Sequence, residues 1–397
     1  MSVSRRRRYW IAIVLVTLVL LGVGAFRLYF VSTNEALRHA EAFFFRRMTV
    51  AQLEQQGQYR FFYATNRKAQ DQQQSVNDRF SNARAQELTF GAFDAQIESS
   101  LGLGMLINPT EWLQNREIQL LDVHTVAQPR FVEGLRDAVS RSRHGALLVV
   151  LHGYREAYES ALRKTAFLGH VLDIDAPVLL FDWPGNQGGS LRGYRRAHRV
   201  ADESGEELAQ LLKLVVDEVQ PQQIWILANS MGAQVVVKGL GTLHQHASMA
   251  DAETEISHVI LTAPDVDSAK FDSQFREEIS ALTDHLTVYV SSNDRALLAS
   301  RLLNRGRRLG ESTLSADQFD EAARVLELTE SEDDLVSLVD VTPVNRTRNF
   351  HNFSLETPEF FDDLFLRLTN HEVPNSRPIY RVQTADGGEY YVLTRGR

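Results

Sequence analysis

Ser230 stands in the run Ile224-Trp225-Ile226-Leu227-Ala228-Asn229-Ser230-Met231-Gly232-Ala233, where apolar residues give way to small-x-Ser-x-small and then to a helical pattern. A serine hydroxyl becomes a useful nucleophile when a neighbouring base takes its proton. A tight strand-to-helix turn serves that chemistry: small flanking residues let the chain reverse sharply, and the helix N-terminus beneath favours developing negative charge. Ala228 fills the first small position, where a methyl group still fits. His152-Gly153-Tyr154 supplies a complementary part. Gly153 permits close backbone approach, and the N–H groups of Tyr154 and Met231 could donate to an oxyanion. His152 reads as structural, because such a loop works through its backbone. Asp294 in Ser291-Ser292-Asn293-Asp294 and His351 in Asn349-Phe350-His351-Asn352-Phe353 complete a reactive set of nucleophile, acid and base. Asp265 and Asp267 also follow a strand after Ser230, and Asp265 reads as a cap on a turn after Pro264.

These residues need elements that deliver them to one place. Residues 146–151 and 177–181 are fully apolar and end in His152-Gly153-Tyr154 and Asp182-Trp183-Pro184-Gly185. A helix is predicted over residues 202–219, with Leu208, Leu211, Leu212, Val215 and Val219 on one face. Further strands are predicted over 256–262 and 286–290 and within 335–344. Near-continuous apolar strands alternating with helices predict a mostly parallel sheet covered on both faces. Ser230, Asp294 and His351 then follow successive strands at the carboxyl edge, where ligand sites of open parallel sheets lie. Residues 59–63 begin the sheet, 88–93 and 118–126 form its antiparallel edge, and the polar stretch 70–84 reads as a loop. Residues 311–334 are acidic and helical in pattern. Residues 379–384 and 389–394 around Asp386-Gly387-Gly388 predict a hairpin appended after the core.

With these parts the chain resembles the α/β-hydrolase superfamily, and within it a bacterial branch with an esterase/lipase-like core. The likeness rests on Phe62-Tyr63-Ala64-Thr65-Asn66-Arg67, His152-Gly153-Tyr154, Asp182-Trp183-Pro184 and Asn229-Ser230-Met231-Gly232. It continues through Ala263-Pro264-Asp265-Val266-Asp267, Asn293-Asp294-Arg295-Ala296-Leu297, Arg308-Leu309-Gly310 and His351, and so spans about residues 59–368. The chain order Ser…Asp…His is the one found in that fold. The resemblance implies Ser230 as nucleophile, Asp294 as acid and His351 as base. The expected activity is carboxylic-ester hydrolysis through an acyl-enzyme, on a small-molecule or lipid ester and without a cofactor. Amide hydrolysis or acyl transfer would use the same residues. A catalytically idle fold serving as an envelope scaffold or binding module is the alternative.

Composition narrows the classes. The 397 residues hold no cysteine, which excludes disulfides and thiol catalysis, and the 12 histidines show no metal-binding spacing. A net charge of −9 argues against nucleic acid as a partner. Residues 9–26 carry no charge, are rich in Ile, Val and Leu, and follow Arg5-Arg6-Arg7-Arg8. As a helix this stretch would reach roughly 27 Å, near the hydrocarbon thickness of a bilayer. The arginines predict a cytoplasmic tip and a single-pass inner-membrane anchor with the body in the periplasm. Secretion after signal cleavage near Val23-Gly24-Ala25 is the alternative. The expected organisation is 1–32 tip and transmembrane anchor, 33–58 stalk helix, 59–370 catalytic domain and 371–397 hairpin extension.

Overall fold

The computed structural model describes residues 13–14, 16–17, 19, 57–71, 75–97, 118–172, 174–245, 255–266, 279, 281–291, 336–345, 353–369, 379–383 and 389–394. Eleven strands form one sheet in the order β10-β11-β9-β8-β7-β6-β4-β5-β1-β2-β3. The central strands β4 (Ala146–Leu151), β5 (Val178–Asp182), β6 (Gln223–Asn229), β7 (Glu255–Thr262), β8 (Thr283–Val290) and β9 (Val336–Asp340) pair in parallel. β1 (Gln58–Ala69) runs parallel to β5 and antiparallel to β2 (Phe80–Ile97), which pairs antiparallel with β3 (Ile118–Val126).

Strand residues alternate between two cores, as a period of two requires. On one face Leu147, Val149 and Leu151 of β4 and Ile224, Ile226 and Ala228 of β6 pack with α1 (Gln128–Ser140), α3 (Leu191–Leu214) and α4 (Gly232–His244). On the other, Leu148, Val150, Trp225 and Leu227 pack with α2 (Tyr158–Leu172) and α6 (Pro358–Leu368). α5 (Phe353–Glu356) is a single turn before α6. The crossovers from β4 to β5, β5 to β6 and β6 to β7 each leave a helix on one face or the other and bring the next strand back in the same direction.

Three expectations are corrected. The stretch 70–84 is more ordered than a polar loop: a 3₁₀ turn at Asn77–Arg79 leads into β2 at Phe80, which is buried. Arg67 and Ala69 pair with Arg84 and Phe80, so backbone bonding extends the hairpin where apolar alternation is weak. The helix expected from 202 starts at Leu191, where the Ser190 side chain accepts from the Gly193 N–H at 3.1 Å. Its last turn, Val215–Val219, is a π-turn closed by Gln220 at φ 58°. The hairpin of β10 (Ile379–Gln383) and β11 (Glu389–Leu393) is part of the sheet, because β11 pairs in parallel with β9. Of residues 9–26, Ile13, Val14, Val16, Thr17 and Val19 are helical and exposed. Among the described residues no helix is long and apolar enough to cross a membrane. The predicted helix 311–334 lies outside the described residues.

Candidate active site

Ser230 lies just past the carboxyl end of β6 with φ at +53°, a region that non-glycine residues seldom occupy. Its N–H donates to Thr262 O at 2.9 Å, and its carbonyl accepts from the N–H groups of Ala233 at 3.1 Å and Asp265 at 3.2 Å. β7 and the first turn of α4 therefore hold the strained conformation in place. Small residues are needed around it. A Cβ on Gly232 would sit 2.5 Å from His152 O, and one on Gly153 would sit 3.0 Å from Ser230 Cβ. Ala228 is fully buried opposite Leu151, so its methyl is accommodated. Among the described residues the N–H groups of Tyr154 and Met231 have no backbone acceptor, unlike those of Arg155, Ala233 and Gln234 beside them.

Asn229, the residue before the serine, accepts through Oδ1 from Thr262 Oγ1 at 3.0 Å and from Ser354 Oγ at 3.3 Å. The second contact ties α5 to the elbow. A small cavity of about 30 Å³, partly open to solvent, lies beside Gly153 and Asn229, with Val150, Leu168, Leu227 and Leu355 as apolar lining.

His152 is held on both sides of its ring. Its Nε2 lies 3.0 Å from Asp182 Oδ1 and its Nδ1 2.9 Å from Gly153 O. The ring stacks on Trp183 at 5.6 Å, and Trp183 Nε1 donates to His152 O at 2.8 Å. Asp182 also accepts from Arg67 Nε at 2.7 Å and Thr65 Oγ1 at 2.7 Å, all fully or nearly fully buried. Burial pushes the Asp182 carboxyl up, but the Arg67 guanidinium and the His152 ring outweigh it, and the group sits below the usual carboxylate range. This network ties the loop of residues 152–154 to β5 and β1. Thr65, Arg67 and Asp182 lay within the resembling motifs, yet their joint role depends on pairing across strands that sequence spacing does not reveal.

Asp265 does not act as a simple turn cap. Its Oδ2 accepts from Tyr194 Oη at 2.6 Å and lies 3.4 Å from His198 Nε2, which is itself 2.7 Å from Tyr194 Oη. Tyr194 and His198 are one turn apart on α3, and nothing in the sequence marked them. Asp294, His351 and Asp267 lie outside the described residues. Ser291, three residues before Asp294, is buried at the end of β8 and accepts from Asn345 Nδ2 at 2.8 Å. Among the described residues no group of three or more His, Cys, Asp or Glu is placed to hold a metal ion.

Residues 128–364 match the family described as "Alpha/beta hydrolase of unknown function (DUF900)". Among solved structures, the chain is similar to a protein from Agrobacterium vitis S4 described only as a hydrolase. That match has 13% identity and a TM-score of 0.32, covering 72% of this chain and 95% of the other. It is also similar to a thermophilic esterase from Thermogutta terrifontis, with 12% identity, a TM-score of 0.32, and 57% and 85% coverage. A lipase-esterase related protein from Clostridium acetobutylicum matches with 11% identity, a TM-score of 0.30, and 57% and 95% coverage. Likeness at this level carries no inference about activity. No curated protein matches the chain.

Proposed function

The chain belongs to this family of α/β hydrolases, and from that premise we propose that it is a serine hydrolase cleaving carboxylic esters through Ser230, His351 and Asp294. The observation that carries the reading is the backbone of Ser230, held at φ +53° between a buried strand and a helix, beside two N–H groups with no backbone acceptor among the described residues. Strain of this kind needs a compensating use, and presenting a hydroxyl at a helix N-terminus is such a use.

His351 would take the Ser230 proton as Oγ attacks the acyl carbon, then give it to the leaving alcohol. Asp294 would hold the imidazole in the right tautomer and stabilise its charged form. The N–H groups of Tyr154 and Met231 would stabilise the oxyanion, and water would then release the acyl group. Two placements support the choice of base and acid. Ser354 touches Asn229 and is three residues from His351, a chain reach of at most about 11 Å. Ser291 follows β8, two strands from β6, and is three residues from Asp294.

Hydrolysis of 4-nitrophenyl butyrate by the purified protein tests the assignment. His351→Gln and Asp294→Asn should each lower kcat by about 10⁴, the scale seen when a triad member is lost. Near wild-type turnover in His351→Gln, with His198→Gln inactive, would move the base to His198 and the acid to Asp265. Residues 9–26 as an inner-membrane anchor, with the body in the periplasm, remain part of the proposal on the strength of Arg5-Arg6-Arg7-Arg8. Protease added to spheroplasts should digest the body, and protection until lysis would reverse the orientation.

A further inference from the structure

The rim of the site carries an unusual density of positive charge for a chain of net charge −9. Arg192, Arg195, Arg196 and Arg199 occupy the first turns of α3, and all four are exposed. They stand three and four residues apart, spacings at which like charges on a helix repel. They also crowd the positive end of the helix, whose first turn contains no acidic residue to offset them. Arg155 joins them from the oxyanion loop. It is exposed, and its guanidinium carbon would lie 3.2 Å from a Cβ on Gly189, directly before the helix. Among the described residues none of the five forms an ion pair or a side-chain hydrogen bond.

Their position connects them to Ser230. Tyr154, next to Arg155, donates through its hydroxyl to Gly188 O and packs edge-on against Tyr194 at 5.5 Å. Tyr194, next to Arg195, bonds Asp265, whose N–H holds the Ser230 carbonyl. The carboxylates on this side are already occupied: Asp265 by Tyr194 and His198, Glu156 by Lys164 and Ser160. Among the described residues on this side, the charge left without a partner is therefore positive.

We propose that these five arginines receive an anionic oxygen group of the substrate, a carboxylate, phosphate or sulfate, so that the site selects esters of anionic compounds. The proposal rests on the serine-hydrolase reading for its chemistry. Ser230 Oγ bonds the acyl carbon, the ester C–O bond breaks, the alcohol leaves with the proton, and water cleaves the acyl-enzyme. The arginines position the charged end and take no part in these steps. A solvated helix face with no ligand would not need unpaired like charges at a repulsive spacing on both the helix and the neighbouring loop.

Two arms test this on the full chain in neutral detergent. In the first, kcat/KM is compared for 4-nitrophenyl hexanoate and 4-nitrophenyl hydrogen adipate, which differ by a terminal carboxylate. The adipate ester should be preferred at least fivefold at low salt. Arg155→Gln and the Arg195→Gln/Arg199→Gln pair should each cut that ratio by about fivefold, the factor for one charge contact at 4 Å in water. The preference should shrink in 0.5 M NaCl. In the second arm, calorimetry follows hexyl phosphate binding, which needs no turnover. Binding should weaken by a similar factor in both variants. Equal ratios in all proteins together with no hexyl phosphate binding would overturn the proposal. Binding to phosphatidylglycerol vesicles without hexyl phosphate binding would also overturn it, assigning the arginines to a membrane surface. If neither ester is turned over, the hydrolase reading fails, and hexyl phosphate binding still decides whether the patch holds an anion.

Discussion

Gly153→Ala probes the closest approach in the site. The added Cβ would lie 3.0 Å from Ser230 Cβ, 3.3 Å from Asn229 O and 3.4 Å from Asn229 Nδ2. Carbon atoms pack best at about 3.5–4.0 Å, so a neighbour must give by a few tenths of an ångström. The elbow is the stiffer side. Ser230 is fixed through both its N–H and its carbonyl, and Asn229 through Thr262 and Ser354. The loop carrying Tyr154 should yield instead, drawing its N–H away from the place where the oxyanion forms. Complete loss of one such donor costs about 10²–10³ in kcat, and a partial displacement should cost about 10–10². The interaction is made only in the transition state, so kcat and kcat/KM should fall together. Overpacking at a site this near solvent should cost about 1 kcal/mol of stability, the low end for such changes. Turnover of 4-nitrophenyl butyrate and urea unfolding measure the two effects. A Gly153→Ala protein with wild-type kcat would refute the placement of the oxyanion donor on this loop.

Two further outcomes follow from buried charge. Asp182→Asn leaves Arg67 buried without its partner and should lower unfolding stability by about 3–5 kcal/mol in urea titrations. The lowered pKa of Asp182 means its contribution is full above the ordinary carboxylate value of about 3.9 and is lost as pH falls further, so the variant should show a shallower acid limb. His258 is buried beside His285 and Arg367; burial first, then those two groups, push its pKa down to about 4. The unfolded chain then takes up a proton near pH 6.5 while the folded one resists it. Stability should fall by about 3 kcal/mol between about pH 6.5 and pH 4, and His258→Gln should flatten that slope.

The central sheet could be read from the sequence because β4 to β8 are buried on both faces and their apolar runs are nearly unbroken. Ser230 was legible because the turn demands small residues in order, and the structure meets that demand at Gly232 and at Gly153 across from it. The start of β2 was not legible. Phe80 starts a strand whose next residues, Ser81, Asn82, Ala83 and Arg84, face solvent or lie half-buried, so period-two burial is lost while backbone pairing persists. The start of α3 was missed because its first turns carry arginines in place of an apolar stripe, and only Gly193, Ala197 and Ala201 mark the buried side. Small residues of that kind give little hydrophobic signal. The Arg67–Asp182–His152 and Tyr194–His198–Asp265 clusters each join distant segments, and such contacts depend on tertiary packing that local pattern does not encode.

The most direct test of the account is covalent. A fluorophosphonate probe should react with the full-length protein, and peptide mass spectrometry should find the adduct on Ser230. Ser230→Ala should keep the wild-type unfolding midpoint and lose all labelling. Undiminished labelling of the alanine variant, or an adduct mapped to any other residue, would contradict the assignment of Ser230 as the nucleophile.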